Sequence, residues 1–342
     1  MSRAVPKRSS ISKLAKLALT AVVLGLLVRI VGAREILGAF DGINWAWATA
    51  MLIAGLLMKL GVSVQLWSIF RRGQLSVSVL RVFLANALSA LYSLVLPGDI
   101  AASGVKWIDL SAATGKKAAV FNALIYHRMV TSLVTLTLGV FALVVSNPLD
   151  NQATQYIAAA LLLLLMLLFI FLYHPRLGAW VETMLRRASE KLPRLGATYA
   201  VPVIDAMRRF HGFTARDHIA VFTWSCVFIV FRILTYWCAI RAFDLEITLI
   251  DILWIAAFLS ITAALPLTIA NLGIREGFLV LVLAPLGVAS ATAVALGLVL
   301  FANHVLIALV GAGYQMALSL GWVRWRVEPG QNISEKAPAQ TP

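Results

Sequence analysis

Charge is scarce in this chain. Only 13% of its 342 residues are Asp, Glu, Lys or Arg, against 61% hydrophobic, whereas soluble domains run near a quarter charged and below half apolar. That balance excludes an ordinary water-soluble globule. Cysteine is nearly absent too: Cys226 and Cys238 lie twelve residues apart in one apolar run. A helical rise of about 1.5 Å per residue separates them by about 18 Å, too far for a disulfide. No zinc-ligand spacing occurs, and GxSxG, HExxH and cysteine–histidine motifs are missing. Ala113-Thr114-Gly115-Lys116-Lys117 imitates a phosphate loop, but Leu110 stands where Gly belongs and Lys117 replaces the needed Ser or Thr. No catalytic residue, metal or cofactor is assigned, and enzyme activity is not expected.

Acids are the scarcer sign, 15 against 29 Lys plus Arg, for a formal charge of +14. In a soluble protein that would suggest nucleic acid. Here the bases sit between apolar runs, as cytoplasmic loops of membrane proteins collect them, with attraction to anionic headgroups as a compatible role. The apolar segments are 14–31, 45–70, 79–97, 117–146, 155–173, 219–243, 252–270, 277–289 and 291–322. Such runs are long enough to cross a bilayer as helices. The N-terminus resembles a signal peptide, but Arg29 interrupts the apolar region before Val31-Gly32-Ala33, so an uncleaved first helix is expected. The basic N-terminus (1–13), Arg71 and Arg72, the basic segment 174–218 and the tail 323–342 are placed in the cytoplasm. The loops at 32–44, 147–154 and 242–251 are placed outside. The tail is polar and reads as disordered.

That assignment has a parity conflict: full crossings by both 79–97 and 117–146 would return the chain to the wrong side. Residues 79–112 therefore read as a re-entrant hairpin broken at Pro97-Gly98, tolerated where it is buried in protein or lines a wet cavity. Its tip, LPGDIAASGVK (96–106), recurs as LPLTIANLGIR (265–275), with five of eleven positions identical. The second copy is read as a hairpin of opposite entry. Its tip residues are Pro266, Gly273 and Gly277, the two glycines having the spacing that permits close helix approach. Paired broken helices are the pattern of inverted-repeat transporters, whose sites form near the midplane. The fold class is thus an all-α polytopic membrane protein, with about six to eight transmembrane helices plus two re-entrant hairpins.

Ionisable groups inside apolar spans cost about 2.5–3.5 kcal/mol each at a helix centre and are functional hypotheses. Lys106, Arg128, Arg232 and Arg275 are the candidate lipid-binding cations, with Glu276 beside Arg275. Guanidinium forks suit phosphate oxygens. Lys59 marks either a mid-span cation or a misplaced span boundary. Asn86, Asn303 and His304 either line a polar path or bond between helices. Acids are too few to pair these cations, which implies an exogenous anion or a wet vestibule.

LPGDIAASGVKWIDLSAATGKKAAVFNALIYHRMV and ALPLTIANLGIREGFLVLVLAPLGV resemble the two signatures of the lysylphosphatidylglycerol synthase transmembrane-region family, the flippase-like domain. The second is the more specific, through Pro266, Gly273, Arg275, Glu276 and Gly277. The resemblance covers about 14–322. It implies a multi-pass protein of the bacterial cytoplasmic membrane, with both termini cytoplasmic. Its relatives are domains that move aminoacylated phospholipid or serve polyprenyl-linked glycan and hopanoid pathways. The first signature departs from the family pattern: Ala101–Lys106 lacks the usual acid and has Lys for Arg, and His127 stands where an acid commonly precedes Arg128. No aminoacyl-transferase domain follows residue 326, so synthesis of lysylphosphatidylglycerol is not expected. The expected function is translocation of an anionic or polyprenyl-linked lipid. The alternative is a non-transporting partner of a lipid-modifying or glycosyltransferase enzyme. Expected partners are phosphate-bearing membrane lipids and a lipid-modifying enzyme, not nucleic acid. Cysteines introduced at Ser103 and Asn271 should label from opposite sides of the membrane; labelling from one side would remove the inverted repeat.

Overall fold

The computed structural model describes residues 25, 29–96, 99–148, 150–173, 183–184, 214–264, 268 and 270–322. Pro97, Gly98 and Pro266, the segments 1–13 and 323–342, and most of 14–31 and 174–218 lie outside the described residues. All regular structure among those described is helical. In chain order it runs α1 (Ala33–Gly38), α2 (Trp45–Arg72), α3 (Val79–Ser93), α4 (Asp99–Thr114), α5 (Lys117–Ser146), α6 (Gln152–Tyr173), α7 (Ala215–Ala242), α8 (Leu249–Ala264), α9 (Ile274–Leu283), a 3₁₀ turn (Ala284–Leu286) and α10 (Ser290–Ser319). Apart from 14–31, which lies mostly outside the described residues, the apolar segments of the sequence reappear among these helices, with ends shifted by a few residues. Among the described residues, four helices are long and apolar enough to cross a membrane: α2, α5, α7 from Arg216, and α10. At about 1.5 Å per residue the 28–30 residues of each reach about 42–45 Å. By contrast α3 and α8, at 15 and 16 residues, reach about 23 Å, short of a hydrocarbon core of about 30 Å.

The order of lengths is written twice. A 28-residue helix, a short connection, a helix of 15 or 16 residues, a break, a return helix (16 residues in α4, 10 in α9) and a 30-residue helix describe both α2–α5 and α7–α10. The local chemistry repeats with it, about 170 residues apart. Asn44 caps α2 by accepting from Ala46 N–H at 3.1 Å, and Thr214 caps α7 in a reciprocal box with Asp217. Ser78 Oγ accepts from Arg81 N–H and Thr248 Oγ1 from Asp251 N–H, both at 3.2 Å. These caps satisfy orphan N–H groups at helix starts. After α2 the chain turns through Gln74 at φ 55°, and after α7 through Asp244 at φ 53°. Leu75 N–H then bonds Phe70 O, as Leu245 N–H bonds Ile240 O.

The matching helices α2 and α7 pack on each other antiparallel along their whole length. Asn44 N–H donates to Ala242 O at 2.8 Å at one end, Gln65 Nε2 donates to Ser225 Oγ at 2.6 Å in the body, and Arg72 pairs with Asp217 at 2.6 Å at the other end. Equivalent helices running in opposite directions require a two-fold rotation across the bundle. The remaining contacts obey it: α3 packs on α10 as α8 packs on α5, and α2 meets α5 as α7 meets α10. Each hairpin also starts and finishes at one end. Lys116, just after α4, reaches Gln74 O in the connection before α3. Leu286 and Val288, after α9, pack in the cluster that holds Phe243 and Leu245, before α8. One buried cluster serves the end where α2 begins and another the end where α7 begins.

Two glycines mark the swapped contacts. A Cβ on Gly139 of α5 would overlap the Cβ of Ala257 on α8, and one on Gly311 of α10 would overlap the carbonyl oxygen of Ala87 on α3. Small residues allow such approach in membranes, where apolar burial drives no helix association. Gly139→Ala and Gly311→Ala should each lower stability in detergent by about 1–3 kcal/mol, the scale of overpacking. Ala257→Gly should rescue Gly139→Ala, since the clash is with a side chain. Ala87→Gly should not rescue Gly311→Ala, since that clash is with backbone. Thermal unfolding of the single and double variants checks both.

Candidate functional site

A cavity of about 240 Å³ lies at mid-length of the long helices, between the end of α3 and the chain just before α9. Ser93 borders it from the first hairpin and Thr268, Ala270 and Asn271 from the second. Its cations are Lys59 from α2, Arg232 from α7 and Arg275 from the first turn of α9, and no carboxylate lines it among the described residues. Asn303 and His304 of α10 and Tyr236 of α7 complete the polar wall.

Each cation is held by a different device. Arg232 Nη2 donates to Ala256 O at 2.8 Å and to Ser260 Oγ, and its guanidinium faces the rings of Phe228 and Tyr236 at 5.8 and 6.0 Å. Its partners are neutral, so its charge is delivered whole to the cavity wall. Arg275 donates from Nε at 3.0 Å and Nη2 at 2.6 Å to one oxygen of Glu276. The other Glu276 oxygen accepts Gly273 N–H at 2.6 Å. Glu276 is fully buried, so one carboxylate both positions Arg275 and caps the start of α9, a charge-assisted arrangement stronger than neutral bonds. Gly297 of α10 lets it in, because a Cβ there would stand 2.9 Å from Glu276 Cγ. Arg275 also lies over Phe301 at 5.4 Å. On the far wall Ser93 Oγ donates to Ala90 O at 2.7 Å. Its single hydrogen spent, it accepts from His304 Nε2, also at 2.7 Å.

The second tip is strained. Ala270, Asn271 and Gly273 have φ of 53°, 58° and 81°, a region natural for Gly and tolerated by Asn but costing an alanine about 1–2 kcal/mol. Strain held at such a place is a mark of functional sites.

The sequence candidates divide between two locations. Arg232 and Arg275 line the cavity, joined by Lys59, which proves to be the fifteenth residue of the 28 in α2 and no boundary. Glu276 sits directly behind Arg275. Gly273 starts α9, and Gly277 lies one turn on, its N–H bonding Gly273 O at 2.9 Å. Lys106, the counterpart of Arg275, is not a lining residue: its Nζ bonds Asn86 Oδ1 at 3.2 Å, Asn86 Nδ2 bonds Ser63 Oγ at 2.9 Å, and Ser63 Oγ returns to Lys59 O at 2.8 Å. Trp107 occupies the place of Glu276 and donates to Lys117 O at 3.0 Å. Arg128 is exposed on α5 while its neighbour His127 is buried. Sequence reasoning missed Tyr236, Thr268 and Ser93 as lining residues, because neutral side chains inside apolar runs carry no signal of their own. Asn271 was visible only as a member of the repeated phrase.

Four crossing-length helices, with exposed aliphatics such as Ile53, Leu57, Ile219, Val230 and Leu309, define an integral membrane protein. The chain belongs to the lysylphosphatidylglycerol synthase TM region family, whose model matches residues 13–311. No curated protein matched the chain.

Removing one partner of a buried ion pair costs more than removing both. Glu276→Gln should therefore destabilise the protein in detergent by about 3 kcal/mol. Arg275→Met/Glu276→Gln should lose less than Glu276→Gln alone. A double variant with the lower melting temperature would show that Arg275 does not depend on Glu276.

Proposed function

We propose that this chain moves a phosphate-bearing lipid, anionic or polyprenyl-linked, between the leaflets of a bacterial cytoplasmic membrane, and that it does so without catalysing a reaction. The observation that carries the reading is the cavity itself: cations with no lining carboxylate among the described residues, at the mid-length of the long helices, bordered by Ser93 of the first hairpin and by Thr268, Ala270 and Asn271 of the second. Each hairpin is re-entrant in this reading, dipping to mid-depth and returning to its own face, which makes the repeat an inverted-topology repeat. Broken helices meeting near the midplane are the usual site of transporters built this way. The charge distribution supports the orientation. Arg71, Arg72, Lys116, Lys117 and Arg216 gather at one end, the cytoplasmic one, and Asp41, Asp244, Glu246 and Asp251 at the other.

The mechanism follows from the placement. A headgroup phosphate enters the cavity and accepts hydrogen bonds from the guanidinium groups of Arg232 and Arg275, while its acyl chains remain in the bilayer. Charge-assisted bonds to phosphate replace the water the headgroup leaves behind. The two tips, one from each face, give the headgroup a route that never exposes it to hydrocarbon.

Proteoliposomes carrying the purified chain should exchange fluorescent anionic phospholipid between leaflets faster than protein-free vesicles. Arg232→Ala and Arg275→Ala should each lower that rate at least tenfold. Equal rates with and without protein, or full activity in both variants, would overturn the reading.

A further inference from the structure

Three buried polar groups on the cavity wall have no hydrogen-bond partner among the described residues: Thr268 Oγ1, Asn271 Oδ1 and Asn303 Oδ1. Thr268 is 2% exposed and Asn303 6%. Unpaired buried groups are costly and rare in native proteins, so three converging on one cavity call for a partner there.

The orientation of one of them is fixed by its neighbours. Thr262 Oγ1 spends its only hydrogen on Leu259 O at 2.9 Å, so the Asn271 group facing it at 3.3 Å is the amide NH₂. Asn271 Oδ1 is therefore an acceptor with nothing to accept. Its position in the left-handed region at φ 58° keeps the amide at the tip. A phosphate has only acceptor oxygens and cannot satisfy it. The ligand must bring a donor as well as an anion.

That donor is either a hydroxyl or an ammonium, and electrostatics decides between them. Lys59, Arg232 and Arg275 line the same cavity, and no carboxylate does among the described residues. The nearest acid, Glu276, already has Arg275 on one oxygen and Gly273 N–H on the other. An ammonium placed here would meet the lining cations with no carboxylate among the described residues to pair it beyond the phosphate that Arg232 and Arg275 already hold, whereas a neutral hydroxyl meets no such repulsion.

Resting on the translocase reading, we infer that the site selects a hydroxyl-bearing anionic headgroup, a polyol phosphate, and rejects heads that carry an ammonium. The phosphate sits on Arg232 and Arg275, and the hydroxyls donate to Asn271 Oδ1 and bond Thr268 Oγ1 and the Asn303 amide.

Three short-chain lipids test this with the full chain in detergent and in proteoliposomes: phosphatidylglycerol, phosphatidylmethanol (equal charge, no hydroxyl) and phosphatidylethanolamine (an ammonium). Phosphatidylglycerol should bind and exchange about tenfold better than phosphatidylmethanol, and phosphatidylethanolamine should be the poorest of the three, each hydrogen bond being worth up to about a tenfold factor. Asn271→Gly keeps the left-handed backbone and deletes the acceptor, and Thr268→Val is isosteric without the hydroxyl. Both should reduce the preference over phosphatidylmethanol to about twofold, while Arg232→Ala weakens both anionic lipids alike. If all three lipids move at similar rates above protein-free vesicles, the translocase stands and the headgroup inference fails. A phosphatidylmethanol rate equal to that of phosphatidylglycerol overturns it too. If no lipid moves above that background, both fall.

Discussion

The antiparallel seam between α2 and α7 governs the rest of the structure. These two helices are counterparts in the repeat, and because they run in opposite directions every other pair of counterparts must do the same. The seam is held by polar contacts along its length: Gln65 to Ser225 in the body and Arg72 to Asp217 at one end. In lipid such contacts matter because apolar surface gains nothing by leaving hydrocarbon for another helix. With the seam in place, α3 and α4 start and finish at one end of the bundle, and α8 and α9 at the other. The two hairpins then come together near the middle, where Ser93 and Thr268, Ala270 and Asn271 border one cavity.

The halves share a backbone plan but differ in their charges. Arg81 near the start of α3 corresponds to Asp251 near the start of α8, and Gln74 corresponds to Asp244. Residues in matching places face opposite ends of the bundle, so in the proposed orientation the positive-inside bias would act on them with opposite sign. The tips diverge as well. In the second, Arg275 and Glu276 form a buried pair that also caps α9. In the first, Lys106 is bound into a neutral chain through Asn86 and Ser63, and Trp107 takes the place of the acid. In the first hairpin Lys106 is engaged by side-chain hydrogen bonds away from the cavity, while the left-handed Ala270 and Asn271 of the second line it.

Much of this was legible in the residues. The apolar runs marked most of the described helices to within a few positions, and Leu-Pro-x-x-Ile-Ala-x-x-Gly at 96 and 265 falls where α3 gives way to α4 and α8 to α9. Arg232 and Arg275 stood out because a charge inside an apolar run has no cheap explanation. Two other readings of this kind led to different places: Lys106 and Arg128 are just as conspicuous in sequence, yet they lie outside the cavity. Helical periodicity tells which face a residue occupies, but not which neighbour that face meets. The full extent of the repeat, from Asn44 and Thr214 onward, was hidden because caps and turns tolerate several residue types. Ser78 and Thr248, or Gln74 and Asp244, do the same work without being identical.

The sequence by itself determined that this is an all-helical membrane protein, since a long apolar run has no other stable home. It also determined which residues must find polar company there. Only the tertiary structure decided which company they keep. The orphaned carbonyl of Asn271 exists because Thr262 has already spent its hydrogen on Leu259, and Glu276 is absent from the cavity lining because Gly297 leaves it room behind Arg275. Such facts depend on distances between helices far apart in the chain, and no local pattern of residues encodes them.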